Sequence, residues 1–125
     1  MTQARILVAD DDAAIRKMVG GALHKAGYQV MFAEDAQSAL GTFLMEGPDL
    51  LLLDIGLPDV DGRAVCTIIK SNDSTATIPV VAITGFSSPE DIAEGLLAGF
   101  DAYITKPFEL DVLLRVVKEQ LERVA

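Results

Sequence analysis

Tryptophan is absent from this chain of 125 residues, and cysteine occurs once, at Cys66. A single cysteine can neither close an intramolecular disulfide nor build a cysteine-rich metal site, so a reducing, cytoplasmic setting is expected. Basic residues are scarce. Ten Lys and Arg stand against nineteen Asp and Glu, a formal charge of -9. That balance argues against direct nucleic-acid binding, which needs clustered Lys and Arg, and against docking on an anionic membrane. No apolar run is long enough to span a bilayer. Met1 to Arg5 leads straight into a strand pattern, so no signal peptide is expected. Repeats and low-complexity stretches are missing. No strand pattern is followed by G-x-G-x-x-G or by a P-loop, which sets aside the nucleotide-binding α/β folds.

What remains is a globular composition. Half of the residues are apolar and 23% are charged, which places the chain outside the disordered class. The length suits one domain over residues 1–125. Four apolar runs end abruptly in a reactive polar residue. Arg5 to Ala9 meets Asp10, Asp11 and Asp12. Leu50 to Leu53 meets Asp54. Val80 to Ile83 meets Thr84, and Ala102 to Thr105 meets Lys106 and Pro107. Runs this short and this apolar read as buried parallel strands. A further strand is expected over Gln29 to Ala33.

Helical patterns alternate with the strands. The first runs from Ala13 to Lys25, with Ile15, Met18, Val19, Ala22 and Leu23 on its apolar face. Gly20 and Gly21 weaken it by about 1 kcal/mol each relative to alanine. Ala36, Ala39, Leu40, Phe43 and Leu44 mark a second helix, closed by Gly47 and Pro48. Val65, Ile68 and Ile69 mark a third, where Cys66 is expected to pack in the core. Ser88, Pro89, Glu90 and Asp91 read as the start of a fourth, reaching about Ala98. Leu110, Leu113, Leu114, Val117 and Leu121 line a fifth. Strand and helix therefore alternate throughout, which predicts an α/β fold: a doubly wound, flavodoxin-like parallel sheet in the order 2-1-3-4-5 with helices on both faces.

Ligands of such sheets sit beyond the carboxyl ends of the strands, at the switch point between strands 1 and 3. Asp10, Asp11 and Asp54 should meet there, with Thr84 and Lys106 nearby. Two like charges at 4 Å repel by about 4 kcal/mol at an effective dielectric near 20. A shared proton or a cation must offset this. All-oxygen donors favour a hard ion such as Mg²⁺, and the added ammonium suits a phosphoryl group. Asp12 reads as a helix cap instead. His24, on a polar helix face, reads as solvated.

Val8-Ala9-Asp10-Asp11, the segment Leu53-Asp54-Ile55-Gly56-Leu57-Pro58-Asp59-Val60-Asp61-Gly62, Thr84-Gly85 and Lys106-Pro107-Phe108 together resemble the receiver domain of two-component response regulators. The resemblance covers essentially the whole chain. It implies a CheY-like signalling module in which Asp54 accepts a phosphoryl group from the histidine of a sensor histidine kinase or a histidine phosphotransfer protein. It implies Mg²⁺, which Mn²⁺ could replace, held by Asp10, Asp11, Asp54 and the backbone carbonyl of Gly56. Lys106 and Thr84 would contact the phosphoryl oxygens, and Gly85 would leave them room. Tyr103 matches the aromatic switch position, and Lys106-Pro107 would be a cis bond. Gly56 and Phe86 stand where the family tunes phosphoryl hydrolysis, Gly56 opening the site and Phe86 shielding it. Asp61 and Gly62 read as turn residues. Output would pass through the face of the fourth helix, fifth strand and fifth helix to a downstream protein. A set of charges that pairs some relatives into dimers is not matched, since Ala102 follows Asp101, so a monomer or weak dimer is expected.

Two other readings remain. Asp10-Asp11-Asp12 contains a D-x-D as in haloacid dehalogenase phosphatases, but Ala13 and Ala14 follow it in place of the usual Gly-Thr. A phosphorylation-independent receiver-like binding module is the other, disfavoured because all the principal site residues are present. The ending of the fifth helix at Glu122 to Ala125 slightly favours a stand-alone protein over a piece of a larger regulator.

Overall fold

The computed structural model describes residues 3–124. Its elements are β1 (Arg5–Ala9), α1 (Ala13–Lys25), β2 (Gln29–Ala33), α2 (Ala36–Glu46), β3 (Leu50–Leu53), α3 (Gly62–Ser71), β4 (Val80–Thr84), α4 (Pro89–Ala98), β5 (Ala102–Thr105) and α5 (Leu110–Arg123). The five strands form one parallel sheet in the order β2-β1-β3-β4-β5. The expected order is borne out, and β3 stops at Leu53, leaving Asp54 just beyond the sheet.

β3 and β4 are buried along their whole length because helices cover both faces of the sheet. On one side Leu7, Leu51, Leu53 and Ala82 pack with Ala39, Phe43, Val65 and Ile69 of α2 and α3. On the other, Ile6, Val8, Leu52 and Ile83 pack with Val19, Leu23, Leu113 and Val117 of α1 and α5. Cys66 is fully buried in the first of these layers, and burial pushes its thiol up to about 12. It is a packing residue with no accessible thiolate.

The helix starts follow their capping residues. Asp12 accepts the amides of Ala14 and Ile15, and Ser88 and Asp91 form a reciprocal capping box at α4. Three residues placed on apolar faces by periodicity point outward: Met18 is 41% exposed, Leu44 70% and Ile68 56%. A helix lying on a sheet buries a narrower stripe than its apolar pattern offers. In α3 that stripe is Val65, Cys66 and Ile69, so Ile68 falls outside it.

The two adjacent glycines of α1 are not equivalent. A Cβ at Gly20 would lie 2.4 Å from the Phe32 ring, so this glycine lets α1 approach β2, whereas a Cβ at Gly21 would meet nothing within 4 Å. Gly62 opens α3 against the chain leaving β3. A Cβ there would stand 2.4 Å from the carbonyl oxygen of Asp54 and 2.8 Å from Cα of Ile55. We expect Gly21→Ala to stabilise the fold by about 0.5–1 kcal/mol, through helix propensity alone. Gly62→Ala is expected to cost about 1–3 kcal/mol, because the obstacle is backbone that cannot rotate away. Urea unfolding of the two variants checks both signs, and a neutral Gly62→Ala would sink the steric reading.

Candidate functional site

The carboxyl ends of β1, β3, β4 and β5 bring Asp10, Asp54, Thr84 and Lys106 to one edge. Backbone bonds fix the strand ends against one another. The Asp10 amide donates to the Ala33 carbonyl at 3.1 Å, the Asp54 amide to Ala9 at 2.9 Å, and the Lys106 amide to Thr84 at 2.8 Å. Asp10 and Asp54 are buried, and Asp11 is exposed beside them. One carboxylate oxygen from each of the three lies within 4.8 Å of the others.

Lys106 is the counter-charge. Its Nζ donates to Oδ2 of Asp10 at 2.8 Å and to Oδ2 of Asp54 at 3.0 Å. The second oxygens are held by backbone: Oδ1 of Asp10 accepts the Asp12 amide at 2.9 Å, and Oδ1 of Asp54 accepts the Gly56 amide at 3.0 Å. Burial is the largest influence on Asp10 and pushes its carboxyl up. The neighbouring Asp54 charge adds to this, and the hydrogen bonds from Lys106 and Asp12 offset only part of it. Burial alone would pull the Lys106 ammonium down, but its bonds to Asp10 and Asp54 outweigh that and raise it. One ammonium among three carboxylates leaves uncompensated negative charge. A purely oxygen donor set with an exposed member open to water fits a hard divalent ion.

The remaining residues surround this cluster. Thr84 is buried at the end of β4, and its Oγ1 accepts the Phe86 amide at 3.2 Å. Tyr103 donates its hydroxyl to the Phe86 carbonyl, so the Phe86 backbone is gripped from both sides. The Tyr103 ring lies against Gly95, where a Cβ would come within 2.7 Å of it. The Phe86 ring passes 3.5 Å from where a Cβ on Gly56 would sit, covering the open position beside Asp54. The Lys106-Pro107 peptide is cis. A Cβ at Gly85 would meet nothing within 4 Å, so the space beside Thr84 is open. Exposed His24 stands apart from the cluster on α1.

A model of the response regulator receiver domain family matches residues 6–118 of this chain. The chain belongs to that family. The receiver domain is 40% identical over 119 residues to the DNA-binding dual master transcriptional regulator RpaA of Synechocystis, covering 95% of this chain and 49% of that protein. It is 40% identical to the phosphate regulon transcriptional regulatory protein PhoB of Escherichia coli, covering 97% of this chain and 53% of that one. It thus spans about half the length of these curated relatives. The crystal structure of a CheY-like receiver domain protein from Methanospirillum hungatei superposes with a TM-score of 0.92 at 34% identity, covering 98% of this chain and 97% of that one. The receiver domain is a phosphoryl-accepting signalling module of the two-component type, and the phosphatase reading is not favoured. Receiver domains bind Mg²⁺ in general. Among the described residues, no helix is long and apolar enough to cross a membrane.

Two contributors escaped the sequence reading. Asp59 accepts the amides of Ala36 at 2.8 Å and Gln37 at 3.0 Å, tying the loop after Asp54 to the start of α2. These bonds hold its carboxyl below the usual range. Asp61 is more than a turn residue: it caps α3 and pairs with Arg63 at 2.7 Å. Asp59 meets partners 23 and 22 residues away, so nothing local could announce it. The cap of Asp61 was legible as an acid just before an apolar helix pattern.

Proposed function

We propose that Asp54 is the phospho-acceptor of this domain. The observation that carries the reading is the shared grip of Lys106 on Asp10 and Asp54, with Asp11 beside them: three carboxylates and one ammonium. In the transfer, one Asp54 oxygen attacks the phosphorus of a donor phosphohistidine. The new O–P bond replaces the breaking P–N bond, and the imidazole leaves with that electron pair. Lys106 shifts its ammonium from carboxylate toward a phosphoryl oxygen. Thr84 exchanges the Phe86 amide for the same group, donating its hydroxyl. Asp10, Asp11, Asp54 and the Gly56 carbonyl would hold Mg²⁺, or Mn²⁺ in its place, which when bound offsets the charge of the phosphoryl oxygens.

Release of the Phe86 amide by Thr84 loosens the segment that Tyr103 holds. This offers a route from Asp54 to the surface of α4, β5 and α5, as a shift between two populated states. The donor would be a sensor histidine kinase or a histidine phosphotransfer protein, and the receiver of the signal a downstream protein. No separate substrate is turned over, only the domain's own phosphorylation and dephosphorylation. A cytoplasmic location and a monomer or weak dimer complete the reading.

The test is incubation with acetyl phosphate, with and without Mg²⁺, followed by intact mass and peptide mapping. A Mg²⁺-dependent, hydroxylamine-labile phosphoryl adduct on the peptide containing Asp54 is expected. An adduct mapped to Asp10, Asp11 or Asp12 would move the nucleophile to the first strand and overturn the reading.

A further inference from the structure

Asp10 and Asp11 share one peptide plane, and its carbonyl belongs to Asp10. That carbonyl lies just past the last residue of β1, on a residue with no solvent exposure. A buried carbonyl requires a donor. It finds one in Arg16, whose Nη1 donates to it at 2.7 Å, reaching back from α1 across six residues. The Arg16 side chain is itself only 20% exposed, and its carboxylate neighbour Glu34 is remote at 3.9 Å and 72% exposed. The short bond of this arginine therefore goes to the backbone of the acidic turn, and the ion pair with Glu34 is secondary. A guanidinium that spends its best hydrogen bond on a carbonyl is fixing geometry.

We propose that Arg16 is a positioning residue for the cation site. By holding the Asp10 carbonyl it sets the orientation of the peptide that joins two of the three carboxylates. This rests on the reading above that Asp10, Asp11 and Asp54 take Mg²⁺. Outer contacts that orient metal ligands typically carry about 10- to 100-fold in affinity. Electrostatics alone makes the opposite demand, since a guanidinium beside a divalent cation repels it and its removal should tighten binding. The sign of the change therefore separates positioning from charge.

The experiment is calorimetric titration of Mg²⁺ into the wild type, Arg16→Met and Arg16→Lys, with thermal unfolding of each metal-free protein alongside. Methionine keeps the buried stem and removes the donor; lysine restores a donor on a shorter reach. Arg16→Met is expected to bind Mg²⁺ about tenfold more weakly, with Arg16→Lys between it and the wild type. Unchanged or tighter binding in Arg16→Met overturns the proposal, and a lowered melting temperature with unchanged affinity reduces Arg16 to a fold residue. Should Arg16→Met fail to fold, Arg16→Lys is read against the wild type, where equal or tighter binding overturns it. A folded wild type that takes up no Mg²⁺ overturns the cation reading itself, an outcome distinct from the failure of Arg16 alone.

Discussion

Asp54→Asn is expected to abolish the acetyl-phosphate adduct completely and, in the same molecule, to stabilise the metal-free fold. The first effect follows from chemistry, since a neutral amide offers no carboxylate to attack phosphorus. The second follows from charge. Asp54 lies within 4.8 Å of both Asp10 and Asp11 and 3.0 Å from the Lys106 ammonium. At an effective dielectric near 20, the two repulsions come to about 7 kcal/mol and the one attraction to about 5.5. Asparagine removes all three, so the repulsive balance is relieved. With its carbonyl oxygen on the Gly56 amide, its NH₂ takes the place of the Oδ2 that accepted from Lys106, so the ammonium turns to Asp10 alone, at 2.8 Å. A gain of about 1–2 kcal/mol results. Mg²⁺ should reverse the order. At the proposed site it would have three carboxylates in the folded wild type and two in the variant, so added Mg²⁺ should raise the wild-type melting temperature more. Differential scanning calorimetry with and without Mg²⁺ reads both signs. A variant less stable than the wild type without metal would show that the Lys106 bridge outweighs the repulsion.

The frame of this site was legible because its chemistry stands where apolar runs stop. Leu50 to Leu53 can only be a buried strand, so Asp54 must emerge at its end. The strand order then brings Lys106 to Asp10 across 96 residues without any contact having to be guessed. Other contacts were illegible for physical reasons. The bond from Arg16 to the Asp10 carbonyl and the hold of Asp59 on α2 use backbone groups, which carry no sequence identity. Met18, Leu44 and Ile68 satisfy helical periodicity and still face water, since periodicity gives a direction on a helix and not the width of the groove that receives it. Gly20 and Gly21 looked alike because the Phe32 ring that separates their roles comes from β2 and not from their own helix.

Lys106→Ala is expected to have the largest effect on stability. Asp10 has no exposed surface, and Lys106 is its only ion-pair partner among the described residues. Removing one member of a buried pair leaves a charge that water cannot reach, at a typical cost of about 3–5 kcal/mol; the partial exposure of Lys106 places the loss near about 3. The loss should depend on pH in a definite direction. The Asp10 carboxyl is already raised by burial in the wild type, and loss of the ammonium raises it further. Below the ordinary carboxylate range it is protonated in both the folded and unfolded chains and costs nothing. As pH rises through the window between its unfolded and its higher folded value, the unfolded chain releases the proton first, and stability falls. The variant should therefore be nearest to the wild type in acid and fall furthest behind at neutral pH. Lys106 contributes in the same sense at the other extreme: its raised ammonium stabilises the wild type up to its ordinary range and is lost only as pH climbs through the higher folded value. Mg²⁺ held at the proposed site would supply positive charge in place of the ammonium, so it should recover much of the neutral-pH deficit. Urea unfolding at acid and neutral pH, with and without Mg²⁺, separates these effects. A deficit that did not vary with pH would mean that Lys106 stabilises through the packing of its stem and not through the charge it places between Asp10 and Asp54.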